Sequence, residues 1–176
     1  MSAIPTRLLI LRRLTALLEE IVYQDELGND VSLQGKVFRG RILLGEESKP
    51  PLLAILEAAR PDPHTGYVGD ENDTHHDMWP ILVQGIIEDD IENPTDPAYF
   101  MAAAVEAQLS KIIAVDANTG HPSFPQHKDL GGLITALEIM PPVVRPPEDK
   151  VSAKAFFFLP IRMGIAISSD QPYTTV

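Results

Sequence analysis

Between residues 5 and 23, apolar side chains recur at spacings of three and four: Leu8, Leu11, Leu14, Leu17, Leu18, Ile21 and Val22. That spacing predicts an amphipathic helix. Its other face carries Arg7, Arg12, Arg13, Glu19 and Glu20, with the acids at the C-terminal end, where the helix macrodipole disfavours them. Packing, not local electrostatics, has to hold this helix. Asp25 to Gly35 is rich in turn formers, and Val37 to Leu44 (VFRGRILL) then predicts a strand in which Gly40 marks a bulge or a close backbone approach. Pro50 and Pro51 restart the chain. Leu52 to Leu56 predicts a short, wholly apolar strand of the kind buried on both faces, and Met78 to Glu88 (MWPILVQGIIE) predicts a third, with Gly85 at its middle.

Asp96 is placed to cap a second helix and Pro97 suits its first position; Asn93 and Pro94 offer the same signal three residues earlier. Phe100, Met101, Ala104, Val105, Leu109, Ile112 and Ile113 give that helix its buried stripe. Leu133 to Met140 and Ala153 to Ile167 predict two more strands. Pro141, Pro142, Pro146 and Pro147 make the connection between them stiff and polyproline-like. Loops are expected near 60–77 and 116–132, and a flexible polar tail over 168–176. Residues 1–176 thus form one domain of the α/β (α+β) class, two helices packed on one mostly antiparallel mixed sheet of about five strands. The triplet Phe156, Phe157 and Phe158 puts at least one ring on each face of that sheet, so both faces are covered or one ring is exposed; a subunit contact would cover it.

An apolar fraction of 44% and a charged fraction of 22% suit a globular chain of 176 residues. The absence of cysteine excludes disulfide frameworks, thiolate nucleophiles and sulfur-ligated zinc, and fits a reducing compartment. Arg7, Arg12 and Arg13 interrupt the N-terminal apolar stretch before it reaches the length of an export signal, and no run approaches the roughly 18 residues of a membrane-spanning helix. A soluble, cytoplasmic protein without a membrane partner is expected. The formal net charge of -11 opposes tight binding to phosphate backbones, although an acidic pore wall would let DNA slide past.

Three groups of residues are candidates for chemistry. His64, Asp70, Glu71, Asp73, His75, His76 and Asp77 could ligate a divalent metal, but their spacing fits neither a helical histidine motif nor a calcium loop, and a hydrated acidic loop explains them better. Ser32, Ser48, Ser110 and Ser123 lie in no serine elbow; His121 and His127 flank Ser123 in a loop without an evident nucleophile. Glu88, Asp89, Asp90 and Glu92 could act as paired acid–base groups, yet acids before a helix are commonly there for its dipole. Gly131-Gly132 is no phosphate loop. Arg39 and Arg41, two apart on a strand, share a face and could meet carboxylates of a neighbouring subunit. No catalytic, cofactor-binding or metal residue is assigned.

The segments RLTALLEEI, VFRGRILLG followed by PLLAILEAARPD, and WPILVQGIIEDDIENPTDPAYFMAAAVEAQLSKI span most of residues 7–113. In them the sequence resembles the tail-terminator (tail-completion) proteins of long-tailed bacteriophages, minor tail proteins similar to that of lambda. The resemblance implies no enzyme and no cofactor, but a structural virion subunit assembled in the host bacterial cytoplasm. It implies a homo-oligomeric, hexameric ring on the tail tube protein that ends polymerisation and presents the surface for neck and head-completion proteins, with DNA passing through unbound. Arg39, Arg41, Glu88, Asp89 and Asp90 are then the expected subunit or tube contacts. A head-completion or neck connector subunit is the nearest alternative. A small metal-binding enzyme or ligand-binding domain using the His64 to Asp77 loop is the alternative of another class.

Overall fold

Two long strands pair along their whole length, and the other elements are arranged around them. A computed structural model describes residues 3–40, 49–57, 68–69, 74–147, 154–168 and 172–175. In chain order these form β1 (Ala3–Pro5), α1 (Thr6–Glu19), β2 (Val22–Gln24), β3 (Asp30–Ser32), β4 (Val37–Arg39), β5 (Leu52–Glu57), β6 (Val68–Gly69), β7 (Thr74–Glu88), α2 (Asp96–Ser110), α3 (Asp129–Gly132), β8 (Ala136–Ile139), β9 (Val143–Arg145), β10 (Lys154–Ser168) and β11 (Tyr173–Thr175). The main sheet runs β4-β5-β7-β10-β8, with β6 added to β7 and β9 to β10. Every pairing in it is antiparallel except β4 with β5. The fold is α+β, helices packed on a mixed, mostly antiparallel sheet.

Alternation along β7 and β10 decides where the helices lie. Trp79, Ile81 and Val83 of β7 and Phe157, Leu159, Ile161, Met163 and Ile165 of β10 are buried, and they share one core with Ile10, Leu14, Leu17 and Leu18 of α1 and Met101, Val105 and Leu109 of α2. Residues of the opposite parity, Met78, Pro80, Leu82, Phe156, Phe158 and Pro160, are only half-buried and stand outside that core. The Phe triplet therefore divides as its spacing requires, Phe157 inward and its neighbours outward. Leu52 and Ala54 are buried but lie outside the helix-side core, so β5 is covered on both faces, as its apolar run predicts.

Gly85 has a packing role. It lies opposite Phe157 in the ladder, and a Cβ there would fall inside the Phe157 ring. The missing side chain is the space that a fully buried aromatic occupies.

Several elements depart from the sequence expectations. α1 is shorter than 5–23, and its buried face is Leu9, Ile10, Leu11, Leu14, Leu17 and Leu18. Leu8 is 36% exposed and Val22, now in β2, is 62% exposed, because four consecutive apolar residues leave the phase of the stripe open. β4 ends at Arg39, and Gly40, at φ +65°, terminates it instead of bulging within it; 41–48 lie outside the described residues. β7 begins at Thr74, so the last part of the expected 60–77 loop is strand, held by pairing with β10, not by hydrophobic alternation. Asp25 to Gly35 holds the turn and the second strand of the β2–β3 hairpin. Tyr173–Thr175, expected as tail, pairs with Ala3–Pro5.

The proline connection also pairs with the sheet. Ile139 faces Ile161 and Val143 faces Phe158, so four steps on one strand match three on the other. That extra residue is a β-bulge at Pro141–Pro142, where the missing N–H groups make an interruption cheap. It resets the parity, keeping Leu137 and Val144 both opposite core residues, Met163 and Phe157.

Gly85→Ala should destabilise the domain by about 1–3 kcal/mol through overpacking against Phe157, read as a lower denaturation midpoint at unchanged slope. Adding Phe157→Leu should recover part of that loss. An unchanged midpoint for Gly85→Ala would show that the ring does not need the space.

Candidate functional site

At the end of β7 the chain must turn from strand into α2, and a carboxylate makes the turn. Asp90 accepts hydrogen bonds from the N–H groups of Glu92 and Asn93, both at 2.8 Å. The Asp96 N–H donates to the Asn93 carbonyl at 3.0 Å, and Thr95 takes the cap position without a side-chain cap bond. Asp96 is therefore the first helical residue and not the expected cap; its charge suits the positive end of the helix dipole.

The β2–β3 hairpin approaches the same corner. Asp25 sets its turn, accepting from the N–H of Leu27 at 3.0 Å and from the N–H and side-chain amide of Asn29 at 2.8 and 3.0 Å. The Asn29 side-chain bond is the largest of the effects that hold the Asp25 carboxyl below its usual range. Gly28 supplies the positive φ, +80°, that this turn requires. The turn carries Leu27 outward, 85% exposed.

Between hairpin, strand end and first helical turn lies a cleft of about 280 Å³. Leu27, Val31, Pro51, Ile87, Pro97 and Phe100 give it apolar walls, and Asp25, Glu26, Glu88, Asp89 and Asp90 surround them with carboxylates. Asp25 and Asp90 are engaged in the turns just described, and Glu88 lies 3.8 Å from Lys154 across the ladder. Glu26 and Asp89 stand exposed on the rim, and Ile91 beyond it is 96% exposed. The Tyr23 hydroxyl in the wall is buried and has no hydrogen-bond partner among the described residues. Burial, and then the Asp25 charge, push its pKa up to about 12. An apolar slot among carboxylates is chemically suited to a cationic, apolar-tipped group.

The structure brings Glu88, Asp89 and Asp90 together at this cleft and leaves Arg39 elsewhere. Arg39 is exposed on the edge strand, level with Ile55 and hence with Val83. Two strand spacings and five residues of β7 separate it from Glu88, about 20 Å by standard strand geometry. Arg41 lies outside the described residues, as do His64, Asp70, Glu71 and Asp73. The backbones of His75, His76 and Asp77 are paired in the ladder with Ile167, Ala166 and Ile165. Among the described residues no group of three or more metal-ligating side chains is assembled.

The loop of His121 and His127 has a structural place. Asp116 turns it, accepting from the N–H of Asn118 and Thr119 at 2.8 Å, and the His127 Nε2 lies 3.5 Å from Glu20 at the end of α1. The buried Gln108 closes the same helix end, its amide donating to the Leu17 carbonyl at 2.9 Å and to Glu20 at 3.2 Å. Lys111 donates to the Gln108 oxygen at 2.6 Å, so this buried amide is satisfied on both sides. Sequence reasoning found the rim acids but missed Tyr23, Leu27, Ile87 and Phe100. The Asp25, Gly28 and Asn29 turn was the available signal that a hairpin brings them there.

Tyr23 should titrate above the ordinary tyrosine range. Because the folded pKa of Tyr23 is raised to about 12 from 10.0, its protonated form stabilises the fold fully below pH 10, and that stability is lost as pH rises through 12. Ultraviolet titration should show a late tyrosinate transition that Tyr23→Phe removes, along with part of the loss of stability between pH 10 and 12. A titration that Tyr23→Phe leaves unchanged above pH 10 would contradict the burial of this hydroxyl. The chain matches no protein-family signature and no characterised protein.

Proposed function

We propose that this protein is a structural subunit of a bacteriophage tail, closing into a homo-oligomeric ring, a hexamer, on the tail tube. There it ends tube polymerisation and offers the surface on which neck and head-completion proteins dock, while DNA passes through without specific binding. It works in the virion after assembly in the host cytoplasm, with no chemistry and no cofactor. The resemblance over residues 7–113 supports the family reading. The observation that carries the assembly reading is the cleft: an apolar slot with Leu27 and Ile91 projecting beside it, surrounded by carboxylates. Exposed apolar surface rimmed by charge is the signature of a macromolecular contact.

The same reading accounts for Arg39. Sitting about 20 Å from Glu88, Asp89 and Asp90, it does not neutralise them within a chain and is left for a contact with a neighbouring copy or the tube. A head-to-tail contact between copies generates a closed ring when the rotation closes. The negative charge of -11 keeps a pore lining from gripping DNA.

Light scattering and negative-stain imaging of the purified protein, alone and with tube assemblies, test this. A ring of six subunit masses, or one formed at tube ends, is expected, and Arg39→Glu with Arg41→Glu should give monomers. Localisation to tail-less heads would favour the neck-connector alternative. A solitary subunit that ignores tubes and carries stoichiometric metal at His75 and His76 would replace this reading with the metal-binding one.

A further inference from the structure

The lining of the cleft limits what it can receive. Leu27, Ile87 and Phe100 call for an apolar tip, and Glu26 and Asp89 for a cation beside it. The chain itself carries such a surface. In α1, Arg7, Arg12 and Arg13 fall within seven residues, and no acid precedes Glu19. Two of these arginines are engaged within the subunit: Arg7 lies over the Trp79 ring, 5.1 Å from its centroid, and Arg13 donates to the Leu130 carbonyl at 3.2 Å. Arg12 is exposed, and one helical turn before it Leu8 is 36% exposed. Residues four apart share a helix face, so Leu8 and Arg12 present an apolar tip next to a cation.

These two surfaces do not meet within one molecule. The start of α1 is tied to Trp79, and Glu88 at the cleft lies nine residues further along β7, about 30 Å away. We infer that the cleft receives the Leu8–Arg12 face of α1 from a second copy of this chain. Leu8 enters between Leu27 and Phe100, and Arg12 reaches Glu26 and Asp89. The contact is head-to-tail, so each subunit gives one surface and receives the other. This inference rests on the ring-forming reading and names the surfaces that close the ring.

The chain has no cysteine, so introduced thiols are unique. Leu8→Cys and Leu27→Cys are made singly and together, treated with a short bis-maleimide, and compared by denaturing gel and by mass in solution. The double variant should give a covalent ladder, and a mixture of the two single variants should give dimers that neither gives alone. Arg12→Glu should weaken association about tenfold or more, as should Glu26→Lys with Asp89→Lys. Combining all three should restore it to within about threefold, with circular dichroism confirming that each variant is folded. Multimers that form without the Leu8–Leu27 cross-link, and are indifferent to Arg12→Glu, would overturn this contact and leave the ring standing. Protein that stays monomeric and uncross-linked at every concentration would overturn both.

Discussion

The fifteen-residue pairing of β7 with β10 constrains everything else in this fold. Strict alternation along two strands of that length makes one apolar face on which α1 and α2 share a core, and Gly85 lets Phe157 lie flat at its centre. Fully burying a ring of that size is worth about 3 kcal/mol, so the vacancy opposite it matters as much as the ring. β5, β8 and β9 then take register from these two strands. The bulge at Pro141–Pro142 is the adjustment that allows one edge to follow β10 through both of its halves.

Covering one face with helices leaves the other to be explained. Met78, Pro80, Leu82, Phe158 and Pro160 are half-buried there, apolar, and outside the helix-side core. A helix-covered sheet usually turns polar residues to the opposite side, and this one does so at Gln84, Glu88, Glu138, Arg145, Lys154 and Arg162, between which the apolar residues lie. Such a sheet cannot be read from its own stability alone. Its outward residues are consistent with a subunit that completes its burial in an assembly, as proposed above.

Much of the architecture was legible in the sequence because it is local. The apolar run of β5 and the Phe triplet each follow from a few adjacent residues, whereas the stripe expected for α2 holds at Met101, Val105, Leu109 and Ile112 and fails at Phe100 and Ile113, 42% and 39% exposed. What was hidden depends on partners far along the chain. Thr74 to Asp77 is too polar to read as strand and becomes one because β10 is there to pair with it. Tyr173–Thr175 looks like a tail until the N-terminal residues Ala3–Pro5 lie beside it. The cleft is a clearer case: its acids sit together in sequence at 88–90, but its apolar walls come from the hairpin, Pro51 and α2. Only the assembled corner distinguishes a rim of acids around a slot from acids that merely precede a helix.

The charges of α1 bear on the same distinction. Arg7 in the first turn of α1, and Glu19 and Glu20 at its end, oppose the macrodipole at a cost of some tenths of a kcal/mol each, and Arg12 and Arg13 follow at its middle. For most of them a tertiary contact compensates: Arg7 on Trp79, Arg13 on the Leu130 carbonyl, and Glu20 with Gln108 and His127. Arg12 has no such contact among the described residues, and it stands beside Leu8, an apolar residue the core did not take up. Within a single subunit both residues stand at the surface. They are intelligible together only if the surface they form is complementary to something, and the acidic slot at the far end of β7 is the surface on this molecule with the matching chemistry.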